Sequence, residues 1–244
     1  MDWRVPLSLA IAALALLGSA YFEGTALGFL LAPPTALLIA GGTAAASLLH
    51  APPGAWVPAW GQAWEALRIP AEAADRRSDF VRWTALARRH GTLALEPVVE
   101  QEDERLIRLG LRALVDGGGQ ARLRDMLLET AEAETQPLHH AAGLFEAAGG
   151  YAPTMGVLGA VLGLIHALQQ LDDPQAMGPG VATAFLATLY GLALANLVLL
   201  PLAGRLRLRA DARRQELLVY LEGVLAVGRL EHPVRLSERL GVDP

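Results

Sequence analysis

Residues 149–171 read GGYAPTMGVLGAVLGLIHALQQL and residues 174–204 read PQAMGPGVATAFLATLYGLALANLVLLPLAG, and neither stretch contains an Asp, Glu, Lys or Arg. About 20 apolar residues rising about 1.5 Å each cross the roughly 30 Å hydrocarbon core of a bilayer, so each stretch is long enough for one spanning helix. Two further charge-free stretches, 5–22 and 24–57, lie nearer the N-terminus. These runs predict an all-α integral membrane protein with four transmembrane helices, near residues 5–22, 29–50, 151–171 and 180–203. No strand-like alternation and no internal repeat interrupts that pattern.

Composition agrees with burial in lipid. Hydrophobic residues make up 53% of the 244 residues and the mean hydropathy is +0.34, both high for a soluble domain of this size. The absence of Cys excludes a disulfide framework, a thiolate metal site and a cysteine nucleophile. The net charge is only −5, and no Arg cluster is interleaved with aromatics, so nucleic acid is not an expected partner. All 20 basic residues are Arg, a bias from which no function follows.

Arginine placement sets the orientation. The turn between the first two predicted spans has no Arg, and neither does the turn between the last two, which carries Asp172, Asp173 and Pro174. The segment 51–150 has eleven and the stretch from Arg205 onward has eight. Both termini and the central segment are therefore expected on the cytoplasmic side of a bacterial inner membrane. The first run also has signal-like features, Arg4 before it and Gly18-Ser19-Ala20 at its end, but it is long for a signal core and a second apolar segment follows closely.

The expected organisation is transmembrane helices 1 and 2 in 1–50, a cytoplasmic helical domain in 51–150, transmembrane helices 3 and 4 in 151–204 and a cytoplasmic tail in 205–244. In the central segment Pro97 suits a first helical turn. Ile107, Leu111 and Leu114 recur at helical spacing before Gly117-Gly118-Gly119 stops the run. A further helix is expected from about Gln120, bent at Pro137, into the third span.

Small residues form stripes on the last two spans: Ala152, Gly156, Gly159 and Gly163 on one, and Ala184, Thr188, Gly191 and Ala195 on the other. Such faces let another helix backbone approach closely, whether the chain's own or a partner's. Thr154, Thr183, Thr188 and Tyr190 supply hydroxyls that could solvate an ion or orient water, or simply bond to their own helix. His166 reads as a hydrogen-bonded structural residue ahead of a proton relay. His139-His140 has the wrong spacing for one helical metal face, so no metal site and no cofactor are expected. No phosphate loop and no Ser/His/Asp context is present, so no enzyme activity is expected. A machine without nucleotide can still draw on a transmembrane potential, about 2.3 kcal/mol per elementary charge per 100 mV. Yet ion-coupled machines need an ionisable group near the midplane. Either the chain moves no ions, or another chain supplies the carboxylate.

The run Gly150-Tyr151-Ala152-Pro153-Thr154-Met155-Gly156-Val157-Leu158-Gly159-Ala160-Val161-Leu162-Gly163-Leu164, followed by Asp173-Pro174, Gly178-Pro179-Gly180 and Ala187-Thr188-Leu189-Tyr190-Gly191, closely resembles the signature of the MotA/PomA flagellar stator family. Ala195-Asn196 and Pro201-Leu202-Ala203 resemble the end of that family's fourth helix. Weaker similarity covers Glu23-Gly24, Gly41-Gly42-Thr43 and the stretch Ala87 to Glu96. The related TolQ/ExbB subunits, which drive a periplasm-spanning partner, are the alternative; they typically have three spans.

The resemblance implies a motility protein: a ring of about five such subunits around two MotB-like partner chains, whose single helices bear the ion-binding Asp. It implies that Pro153 and Pro201 couple ion flow to motion, with Thr154, Thr188 and Tyr190 along the ion path. Gly156, Gly159, Ala160, Gly163, Ala184, Gly191 and Ala195 would pack on the partner helices. Arg88 and Glu96 would meet the rotor protein FliG. Sodium-driven members carry hydroxyls at the positions of Ala160 and Ala187, so the resemblance favours protons here.

Overall fold

The computed structural model describes residues 4–22, 31–68 and 75–242. Among these the regular structure is entirely helical, as the sequence predicts. The chain divides into two compact units, Met1–Ile69 with Leu138–Leu208, and Pro70–Pro137 with Arg209–Pro244. Two of the described helical stretches, Gln120–Leu168 and Met177–Gly228, are long and apolar enough to cross a membrane.

The first unit holds α1 (Arg4–Phe22), α2 (Pro33–His50), α3 (Trp56–Ala66), the second half of α7 (Gln120–Leu168), α8 (Pro174–Ala193), a π-helical segment Leu194–Leu199, and the start of α9 (Leu200–Gly228). The expected turn at Glu23, Gly24 and Gly28 lies outside the described residues. The second span was expected from about residue 29, but α2 begins at Pro33, because two successive prolines suit the first turn and hold Ala32 extended at φ −121° and ψ 84°. The fourth span was expected from about residue 180, but α8 starts at Pro174. Asp173 caps it, its carboxylate accepting from the Gln175 N–H at 3.0 Å, and Pro174 occupies the first turn.

The interior of this unit is rich in alanine. Ala59, Ala63, Ala141, Ala142, Ala148, Ala152, Ala195 and Ala203 pack with Leu199, Leu206 and the fully buried Phe145. Trp56 and Trp60 meet Phe145 edge-on, with ring centroids 5.5 and 4.9 Å away, and the Trp56 indole donates to the Ser47 carbonyl at 3.3 Å. These contacts fasten α3 to α2 and α7.

The second unit holds α4 (Arg77–His90), a 3₁₀ turn Thr92–Leu95, α5 (Glu96–Gln101), α6 (Arg105–Val115), the first part of α7, the rest of α9, and α10 (Pro233–Leu240). Pro97 lies in the first turn of α5, as expected. Leu106, Ile107, Leu111 and Leu114 line the buried face of α6. Gly117, at φ +78°, ends that helix while the Gly118 N–H bonds to the Ala113 carbonyl at 2.9 Å and the Gly117 N–H to that of Leu114 at 3.3 Å. This is the paired closure that a left-handed glycine permits. Most of the expected tail 205–244 lies in this unit, where Leu217, Leu221, Val224, Leu225 and Leu236 pack in one core with Phe80, Leu95 and Leu127.

Arg213 ties three elements of the second unit together. Its guanidinium reaches Glu104 at 2.8 Å, Glu134 at 2.6 Å and Glu216 at 2.8 Å. Burial works against its charge, but the hydrogen bonds it donates to Glu216, Glu104 and Glu134 outweigh that and raise its pKa above the ordinary arginine value. The Tyr220 hydroxyl donates to Glu216, and burial together with that bond pushes its pKa above the usual tyrosine range.

Candidate functional site

The stripes on α7 and α8 face one another inside the first unit. A methyl group on Gly163 would sit 2.7 Å from the backbone nitrogen of Ala184, and one on Gly191 would sit 2.6 Å from the Ala152 carbonyl oxygen. Gly156 meets the Ala187 carbonyl at a corresponding 3.0 Å, and Gly159 meets the Ala187 methyl. Backbone therefore packs against backbone along the crossing, an approach only glycine and alanine allow. Within this chain Gly156, Gly159, Gly163, Ala184, Gly191 and Ala195, the residues on which the resemblance would pack a partner's helices, lie against the chain's own helices. Ala160 is half-buried at the edge of the contact. The surface left open on α7 and α8 is instead built of larger residues, among them Val157, Val161, Ile165 and Phe185, all exposed.

The hydroxyls are mostly engaged locally. Thr154 donates to the Tyr151 carbonyl at 2.7 Å and Thr183 to that of Pro179 at 2.8 Å. Thr188 is held more loosely, 3.5 Å from the Ala184 carbonyl, and is half-buried beside Ala187. Tyr190 reaches back across the unit, its hydroxyl accepting the Ala32 N–H at 2.9 Å. It thereby satisfies a donor at the start of α2. His166 lies exposed, 3.4 Å from the Gln170 side chain one turn on.

Pro153 is half-buried in α7, and Pro201 is exposed just after the π-helical segment. There the Leu200 N–H bonds to the Ala195 carbonyl, five residues back. Pro201 has no N–H and its ring crowds the carbonyl of Leu197, so a plain α register is disfavoured at this point. A wider π turn accommodates it. The sequence gives no sign of this change of register, because the pattern of apolar residues is the same in either.

In the second unit Arg88 and Glu96 are both exposed. The Arg88 guanidinium donates to the Leu230 carbonyl at the end of α9. Glu96 opens α5. Among the described residues no group of three or more His, Asp or Glu could hold a metal ion.

Comparison with known proteins follows the same lines. The profile of the MotA/TolQ/ExbB proton channel family matches residues 98–218. Motility protein A of Bacillus subtilis (strain 168) is 38% identical over 161 residues, covering 66% of this chain and 60% of the relative. Motility protein A of Helicobacter pylori is 36% identical and is covered over 63% of its length, so the alignments span somewhat less than two thirds of these relatives. Chemotaxis protein PomA of Vibrio alginolyticus is 33% identical over 215 residues, 86% of this chain and 83% of the relative. Among solved structures, the flagellar MotAB stator complex from Bacillus subtilis superposes with a TM-score of 0.86 at 30% identity, over 98% of this chain and 93% of that one. The C. jejuni MotAB structure superposes with a TM-score of 0.89 over 98% and 94% at 24% identity, a likeness of fold. With a relative 33% identical over 83% of its length and a solved structure of the same fold at 30% identity, the chain belongs to the MotA/TolQ/ExbB proton channel family, in its MotA/PomA branch.

Proposed function

We propose that the chain is a non-enzymatic flagellar stator subunit that, with a MotB-like single-span partner, forms a proton channel and converts ion flow into rotor torque. The observation that carries this reading is the contrast between family and content. A proton-channel family member offers 149–171 and 174–204 without one Asp, Glu, Lys or Arg, so the ion-binding carboxylate must come from elsewhere. The relatives named for motility, and the structure of a MotAB complex at 30% identity, favour a stator over a TolQ/ExbB-type subunit.

In this reading α1, α2, the second half of α7, and α8 with the start of α9 span the inner membrane. Both termini and the second unit face the cytoplasm. About five copies ring the helices of two partner chains, the larger apolar residues of α7 and α8 meet those helices or a neighbouring subunit, and Arg88 and Glu96 meet FliG. Pro153 and Pro201 couple the path to motion, and Thr188 offers its hydroxyl along it. Protons are the ion, since Ala187 is fully buried against Gly159 and places no oxygen ligand beside Thr188.

Reconstitution in liposomes tests this. The chain alone should give no acidification of the lumen under an imposed potential. The chain with its partner should, and exchange of the partner's intramembrane Asp for Asn should abolish the flux. Proton leakage through the chain alone would overturn the reading, as would flux that follows sodium.

A further inference from the structure

We propose that the crevice beside Pro201 is a binding site for an anionic phospholipid of the cytoplasmic leaflet, its headgroup on Arg205 and one acyl chain against Leu202, Leu197 and Val198. The crevice has a volume of about 280 Å³ and lies within the first unit, between Ser8 of α1, Leu67 at the end of α3, and the face of the π segment and α9 that carries Val198, Pro201, Leu202 and Arg205. From Asn196 to Arg205 the helix rises roughly 13 Å, which separates the cationic level of the wall from its apolar level by about the depth between a headgroup and the upper part of its chains. Basic pockets between spanning helices on the cytoplasmic side suit anionic headgroups, because that leaflet carries the negative lipids.

Two further observations place this level at the bilayer surface. Trp64, in the last turn of α3, is 64% exposed, and a tryptophan left open near a helix end suits the interface. Arg68 follows Leu67 directly and makes no ion pair among the described residues; Glu65, one turn earlier, is the nearest opposing charge along the chain. Arg205 need not be free of other contacts, since a guanidinium carries five N–H donors. A chain lodged here touches Pro201 and Val198, so occupancy favours the wider register of the π segment. The inference rests on the membrane-spanning reading above.

The test uses the full chain co-purified with its partner, placed in nanodiscs of phosphatidylcholine with or without phosphatidylglycerol, with retained lipid counted by native mass spectrometry. Wild type should retain phosphatidylglycerol preferentially. Arg205→Gln should lower that preference roughly fivefold and Arg205→Gln with Arg68→Gln further, by about one such factor per charge, whereas Arg205→Lys should keep it. Leu202→Trp, which fills the crevice without altering charge, should also remove it, and Arg207→Gln, outside the crevice, should not. Absence of preference in wild type, or an equal loss with Arg207→Gln, overturns the proposal. So does a Leu202→Cys variant that cross-links to a second copy of the chain and stays closed to a lipid-borne maleimide. Release of the chain by alkaline carbonate would instead defeat the spanning reading; retention without lipid preference defeats the lipid site alone.

Discussion

At Gly163 α7 meets the backbone of α8 directly. The nearest atoms to an added methyl group are the backbone nitrogen and Cα of Ala184, at 2.7 and 2.9 Å, and backbone cannot swing aside as a flexible side chain would. Gly163→Ala should therefore cost about 1–3 kcal/mol through forced separation of the helices. Gly41→Ala, where nothing lies within 4 Å, should be close to neutral. Thermal unfolding of the detergent-solubilised chain measures both, and equal melting temperatures would mean that the crossing is softer than its geometry. The small residues themselves were legible from their spacing of four and three, but what they face was not, because a stripe has the same spacing whichever helix covers it. Arg213 shows a deeper limit. Its carboxylates Glu104 and Glu134 lie 109 and 79 residues away in sequence, and no local pattern relates such positions.

At the scale of the element, helix existence was readable while helix ends and register were harder. Charge-free length disclosed α1, α2 and the apolar parts of α7 and α8, since each coincides with a run free of charged residues. The starts of α2 and α8 were set by Pro33-Pro34 and by Asp173-Pro174, local capping chemistry to which a count of apolar residues is blind. The π segment Leu194–Leu199 was invisible because one changed hydrogen-bond step leaves hydrophobicity unaltered. Pro201→Ala returns the missing N–H and removes the ring, so the Leu200 N–H should turn from Ala195 to Asn196 and the segment should become α-helical. Hydrogen exchange over residues 194–202 should slow as the bonds shorten, and torque should fall while partner pull-down persists. A motor of normal speed despite the slowed exchange would show that the register does not take part in coupling.

Over the whole molecule, the proposed ion path and the proposed rotor contact fall in different compact units, the first with Pro153, Thr188 and Pro201 and the second with Arg88 and Glu96. In sequence the change between charge-free and charge-rich stretches falls near residues 50, 150 and 204, whereas the units divide near 69, 137 and 208, and no local pattern reveals that residues 209–244 complete the second unit's core. The division predicts separable defects. Glu96→Lys should reduce torque and leave the partner-dependent proton flux unchanged, at a stability cost below about 1 kcal/mol from placing a cation at the start of α5. Arg88→Glu needs a control, because its guanidinium also bonds to the Leu230 carbonyl at the end of α9, and lost torque could reflect a loosened helix end. Arg88→Lys retains the charge near that carbonyl and should keep most of the torque, whereas Arg88→Gln should retain the fold and lose torque. Complementary charge reversal on the rotor should then rescue Glu96→Lys and Arg88→Glu in swimming assays. Rescue would place the electrostatic contact at these two residues. Loss of proton flux in Glu96→Lys would instead mean that the second unit governs the channel, and the separation of path from contact would not hold.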